Sequence, residues 1–129
     1  MREIKFRGHS NKLKKWIIGD LSTRVAYDNC YDIYINSYEH GEDIFVEKES
    51  VGQYTGLKDK NGKEIYEGDI LKHPKGEMFV VKYYLGCFKA FYSKDDFSNL
   101  YLQIKDKVQA TVIGNIFENP ELLEKLDEN

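Results

Sequence analysis

Cysteine, histidine and long apolar runs are all scarce in this chain of 129 residues, and each scarcity closes a class of function. The two cysteines, Cys30 and Cys87, stand far apart with no C-x-x-C spacing. Two such residues build neither a disulfide framework nor a zinc site, and they are expected as small buried hydrophobes in a reducing cytosol. The three histidines, His9, His40 and His73, fall in predicted loops, and no two have metal-ligand spacing. No apolar run approaches the ~20 residues that a membrane helix needs. The N-terminal "MREIKFRGHSNK" carries charge but no apolar core behind it, so it does not read as a signal peptide. The serines form no nucleophile elbow and the glycines no phosphate loop. The chain is therefore expected to be no enzyme, to need no metal or other cofactor, and to have no membrane partner.

What the chain has is aromatic residues, 14% of the total, with ten tyrosines among them. Tyr and Phe suit pleated, half-buried surfaces, which points to β structure. A length of 129 residues suits one domain with its own core. The net charge of −3 gives no general attraction to nucleic acid or membrane. Charge is uneven locally: residues 1–15 hold six basic side chains against Glu3, and residues 71–94 hold five lysines against Glu77. Acids gather at 39–49 and 118–129. Such runs are ordinarily solvated faces.

Periodicity places the elements. "IKFRG" and "KWIIGDL" read as two short strands around a "HSNKLK" turn. Between 22 and 50, "VAYDN", "YDIYI" and "DIFVE" are short β-prone pieces whose order in space cannot be read. "VGQYTGL" and "KEIYEGDIL" form a hairpin closed by "DKNG", with Gly62 left-handed. In "EMFVVKYYL", Phe79, Val81, Tyr83 and Leu85 form a core face, and Met78, Val80, Lys82 and Tyr84 the other side. "CFKAFY" places Phe88, Ala90 and Tyr92 together, and "LYLQI" turns Leu100, Leu102 and Ile104 inward. "QATVIGNIF" is a last strand with a bend or bulge at Gly114. Asn119, Pro120 and Glu121 start a short C-terminal helix with an apolar edge of Leu122, Leu123 and Leu126. The fold expected is all-β: a small SH3-like barrel, an N-terminal β-hairpin region and a short C-terminal helix. It forms one domain over 1–129, made of a β-rich region 1–50, the hairpin and barrel 51–117, and the helix and tail 118–129.

Three patterns invite functional readings. "DKNGKE" lacks the acid and glycine spacing of a calcium loop. Glu67 and Asp69, two apart, would share a strand face and could serve acid–base chemistry, but the nearest histidine, His73, falls in a predicted loop. Asp69 more simply accepts backbone hydrogen bonds in a turn. The aromatic and basic segment 72–94 offers Lys72, Lys75, Lys82, Tyr84, Lys89 and Phe91, with Lys94 and Phe97, as a surface for stacking bases and contacting phosphates. Burial of these aromatics against the rest of the chain or another subunit is the favoured alternative.

Three blocks, "IKFRG…KWIIGDL", "VGQYTGLKDKNGKEIYEGDIL" and "VIGNIFENPELL", resemble the YopX-like family of phage and prophage proteins. The resemblance runs almost end to end, with looser agreement at 22–50 and at "KDDFSN". It implies an SH3-type barrel, a bacterial cytoplasmic setting and no catalytic residue. Gly56, Asp59, Gly62, Gly68, Asp69, Gly114 and Asn115 match the family's motif, and turn and capping chemistry explains those residue types. The expected function is that of a phage accessory protein acting by protein–protein contact. Its partners would be copies of itself and an unknown phage or host protein, with nucleic-acid binding through residues 72–94 as the alternative.

Overall fold

The computed structural model describes residues 3–25, 30–84, 86–91, 99–101 and 109–126. These are mostly strand, with a short helix near the C-terminus. The chain divides into two compact units, one ending at Tyr54 and the other beginning at Thr55.

The first unit is an antiparallel meander of β1 (Phe6–Ser10), β2 (Lys15–Val25), β3 (Tyr31–Ser37) and β4 (Asp43–Val46). A single 3-10 turn, Lys48–Ser50, leads into β5 (Gly52–Lys58), which pairs with β1 through Phe6↔Gln53 and Arg7↔Gly52. The spatial order is β4-β3-β2-β1-β5, a four-strand meander with the fifth strand returned beside the first. The β-prone pieces of 22–50, whose order in space the sequence leaves open, are thereby placed. At the other end of β1, the Glu47 N–H donates to the His9 carbonyl at 2.9 Å and the His9 N–H donates to Ser50 Oγ at 2.7 Å. Both groups of His9 are thereby satisfied where β5 does not reach. His9 therefore lies in a strand, not in a loop.

The core of this unit is Ile17, Ile35, Ile44 and Val46, with Phe6, Ile33 and Val51 packed against it. Burying each of the four contributes about 2 kcal/mol. Strands β2 and β3 cross so closely at one point that a Cβ on Gly19 would lie 1.8 Å from the Asn36 carbonyl oxygen. Only glycine fits there.

In the second unit, the rest of β5 pairs with β6 (Glu64–Tyr66). Five strands follow: β7 (Asp69–Lys72), β8 (Met78–Tyr84), β9 (Cys87–Phe91), β10 (Asn99–Tyr101) and β11 (Thr111–Asn115). Their order, β10-β9-β8-β7-β11, repeats that of the first unit. The predicted strand "IYEGDIL" is two strands, because Gly68 takes φ 93° and turns the chain between them. Glu67 and Asp69 therefore do not share a strand face. Gly114 sits at a bulge, since Val112 pairs with Leu71 and Gly114 with Ile70, leaving Ile113 extra.

The sheet of the second unit is covered on both sides. Phe79 and Val81 join Leu57, Ile65, Leu71, Ala90 and Ala110 on one face. Val80 and Phe91 form a second cluster on the other, with Met78, Ile116 and Leu123 against them. Leu123 comes from the helix α1 (Glu121–Leu126), a six-residue piece that needs this docking to persist. On β8 the expected core face holds at Phe79 and Val81, which are buried, but not at Tyr83, which is 52% exposed. Val80 lies on the other side as expected, yet it is fully buried there with Leu123 of α1 against its cluster. The cysteines are not buried hydrophobes either: Cys30 is exposed and Cys87 half-buried. Leu85, Tyr92, Leu102 and Ile104 lie outside the described residues, and so does the side chain of Leu100.

Candidate functional site

The most patterned stretch, Thr55–Leu71, is built around carboxylates and hydroxyls that hold backbone. Thr55 Oγ1 donates to the Ile65 carbonyl at 2.8 Å and accepts from the Leu57 N–H at 3.1 Å, bracketing Gly56, which has φ 87°. Tyr54 and Thr55 are both buried, so the in–out alternation resets at Gly56, as at a bulge. Asp59 Oδ1 then accepts from the N–H groups of Asn61 (2.8 Å) and Lys63 (2.9 Å). Its Oδ2 accepts from the Val112 N–H at 2.9 Å, at the start of β11. Gly62, with φ 84°, closes the turn by donating to the Asp59 carbonyl. Burial alone would raise the Asp59 pKa; the amides of Val112, Lys63 and Asn61 outweigh it and hold the carboxyl below its usual value.

Gly68 is a second junction. Its N–H donates to the Val81 carbonyl at 2.8 Å and its carbonyl accepts the Ile116 N–H at 2.9 Å, so one residue joins β8 to the end of β11. Its φ of 93° suits glycine. Next to it Asp69, 1% exposed, accepts the Tyr66 N–H on Oδ2 at 2.8 Å. A third junction follows β11. Asn115 Oδ1 accepts from Phe117 and Glu118 N–H groups at 3.1 and 2.8 Å, and its Nδ2 donates to Glu118 Oε1 at 3.0 Å. The Asn115 N–H donates to Asn119 Oδ1 at 3.2 Å, so the Asn119 side chain ties the helix start back to the strand. That carboxamide fills the space beside Gly114, where a Cβ would meet Asn119 Oδ1 at 2.4 Å. Each of these motif residues thus fastens main chain. Among the described residues, no group of three or more His, Cys, Asp or Glu could hold a metal ion.

This arrangement of junctions accompanies a family match. A family model described as YopX protein matches residues 5–124. The chain belongs to the YopX family. It is also similar to a solved chain, the crystal structure of protein EF1440 from Enterococcus faecalis, at 28% identity and a TM-score of 0.54. That match covers 95% of this chain and 99% of the other. A search of the curated proteins found no match.

The basic and aromatic segment 72–94 does not form the surface expected of it. Phe91 is 2% exposed within the second cluster, and Lys89 is 4% exposed. Lys82 is half-buried opposite Lys89, with its ammonium 5.6 Å from the Phe91 ring centroid. Lys72 and Lys75 alone of the described set lie open to solvent. The side chain of Tyr84, and Lys94 and Phe97 entirely, lie outside the described residues. Burying Phe91 under α1 removes the stacking face on which that surface depended.

The first unit holds what the sequence analysis missed. Along the core face, β2 runs Ile17, Gly19, Leu21, Thr23, Val25, and β3 places Ile35, Ile33 and Tyr31 opposite the last three. Exposure climbs along β2 from Ile17 at 2% through Leu21 at 39% to Val25 at 71%, and along β3 from Ile35 at 0% to Tyr31 at 56%. The apolar face thus continues past the core that should cover it. The sequence carries part of the signal, since "VAYDN" and "YDIYI" are β-prone, but their pairing is not readable from it. The opposite face of the same strands is polar and aromatic. Arg24 lies 4.2 Å over Tyr34, pairs with Asp43, and Tyr34 meets Phe45 edge-on at 5.7 Å. Asn36 Nδ2 also donates to Asp43 at 2.9 Å, and this bond with Arg24's holds the Asp43 carboxyl below its usual pKa.

Proposed function

We propose that this YopX-family chain is a non-enzymatic binding protein of the bacterial cytoplasm that works by protein–protein contact, first of all with copies of itself. The single observation that carries the reading is the apolar stripe of Leu21, Val25, Tyr31 and Ile33, which runs off the core of the first unit. Isolated exposed apolar side chains are ordinary; a contiguous run on the core face of two paired strands marks an interaction surface. Aromatic and aliphatic anchors of this kind carry most of the binding energy in protein interfaces. The motif residues support the reading from the other side, because Asp59, Asp69 and Asn115 each accept from backbone N–H groups. No helix among the described residues is long and apolar enough to cross a membrane. A phage or prophage origin remains part of the proposal through the family resemblance.

Light scattering on the purified full chain tests it. Self-association that falls on Val25→Lys and on Tyr31→Lys, with strand content unchanged by circular dichroism, is the expected outcome. A monomer at every concentration, or an oligomer indifferent to both changes, contradicts the proposal.

A further inference from the structure

Strand β2 outruns β1. It pairs with β1 from Lys15 to Gly19 and with β3 from Gly19 to Val25. Beyond Gly19, therefore, β2 has a strand on one side only among the described residues. Before Phe6 the chain does not extend the ladder with β2, and the Lys5 carbonyl accepts the Tyr54 N–H of β5 at 2.9 Å. The β2–β3 ladder runs from Gly19↔Ser37 to Val25↔Tyr31 without a register shift. One bond fixes the direction of its main-chain groups. The Tyr38 N–H donates to the Ile18 carbonyl at 3.1 Å, so Ile18 turns its main chain toward β3. Main-chain groups alternate sides along a strand. Asp20, Ser22 and Arg24 therefore also face β3, and Leu21, Thr23 and Val25 turn their N–H and carbonyl groups to the open edge. The side chains of these three share the core face and are all exposed.

An open strand edge templates pairing with another strand, and proteins guard such edges with proline, bulges or inward-pointing charge. Leu21, Thr23 and Val25 carry none of these. The pattern of this edge fits its own copy. Two antiparallel strands related by a two-fold axis keep like faces together only when the axis lies beside a residue, not between two. Ser22, Thr23 and Arg24 are the possible centres. Centred on Arg24, the two guanidinium groups would stand directly opposite each other, which is unfavourable. Centred on Ser22, Val25 would fall opposite Gly19, whose edge is already taken by Phe6. Centred on Thr23, all three outward-turned residues find partners: Thr23 meets Thr23, and Leu21 meets Val25 of the second copy on either side. On the other face Arg24 then lies opposite Ser22 and diagonal to Asp20 of the second copy, an opposite charge within reach of a long side chain. Both groups keep their partners within the chain, since Arg24 pairs with Asp43 and Asp20 accepts from the Tyr38 hydroxyl at 2.8 Å. We infer that the β2 edge from Leu21 to Val25 is the seam of a two-fold dimer, in which β2 pairs antiparallel with β2 of a second copy about Thr23. The inference rests on the self-association proposed above and gives it a geometry: the two meanders join into one sheet, and the apolar stripe of one copy runs on into that of the other.

Two variants of the full chain test the seam. Thr23→Pro removes an N–H that points to the open edge and leaves the bonds to β3 in place, so the free chain tolerates it. Self-association measured by sedimentation should weaken at least about 10-fold in this variant, with strand content by circular dichroism unchanged. The second test does not depend on a proline. In a Cys30→Ser/Cys87→Ser background, Thr23→Cys should form a disulfide between two copies in a glutathione buffer, because facing residues of a hydrogen-bonded pair have Cα atoms about 5.5 Å apart. Ser22→Cys should not, since the two Ser22 positions lie diagonally, beyond the about 7 Å that a disulfide spans. Cross-linking at Ser22→Cys in place of Thr23→Cys overturns the pairing. Self-association that is lost in Val25→Lys, yet persists in Thr23→Pro with no cross-link at Thr23→Cys, overturns the seam and leaves the apolar stripe as the contact. A parent that stays monomeric at every concentration overturns both.

Discussion

The two units of the chain use the same strand order and are held together by different means. In the first, a cluster of aliphatic side chains lies on one face of a meander, and the strand ends are closed by main-chain bonds at His9. The second has apolar clusters on both faces of its sheet, and buried polar side chains at Asp59, Asp69 and Asn115 fix its turns. One order of strands therefore does not dictate one way of stabilising them. The second unit covers its sheet with α1, whereas the first leaves the β2–β3 stripe open. The motif that identifies the family lies mostly in the unit that is more fully fastened, and the surfaces with something left to offer lie in the other.

That contrast can be tested by breaking each unit at its own weak point. The largest effect is expected at Gly19→Val, where the side chain would collide with the Asn36 carbonyl and force β2 from β3. A loss of more than about 3 kcal/mol in urea unfolding is expected, with the loss of structure concentrated in the first unit. In the second unit Asp59→Ala removes three charge-assisted hydrogen bonds at once and should cost about 2 to 3 kcal/mol. Asn115→Ala, which frees the Phe117 and Glu118 amides, is expected to cost about 1 to 2 kcal/mol in the same assay. Smallest is Tyr31→Lys, which should stay within about 0.5 kcal/mol of the parent because that side chain is not holding the fold.

Acid adds a test of the Asp59 junction. The folded-state pKa of Asp59 lies below its unfolded value of about 3.9. The unfolded state therefore binds the proton more readily, and the stability Asp59 contributes is complete above that value. It is lost as pH falls through the lower folded value. Asp59→Asn should flatten this part of the pH–stability curve. Equal acid sensitivity of parent and variant would show that other carboxylates set it.

Legibility in the sequence followed the same division. Turn chemistry is local, so Gly62, Gly114 and the strands around them could be placed from spacing alone. The break at Gly68 was missed because "IYEGDIL" keeps a strand-like composition across the turn, and only the bonds to Val81 and Ile116 reveal it. The burial of the Val80 and Phe91 face was missed because period-two reasoning presumes one covered side, while α1 covers the second. The exposed stripe was unreadable for a different reason. Leu21, Val25 and Tyr31 have the composition of core residues, and nothing local in the sequence says where a core stops.

The account rests most heavily on that stripe, and sedimentation velocity of the full chain across a range of concentrations tests it most directly. Mass-action self-association in the parent, abolished in Val25→Lys/Tyr31→Lys with the unfolding midpoint unchanged, is the predicted result. A parent that remains monomeric throughout, or a double variant that associates as the parent does, would contradict it.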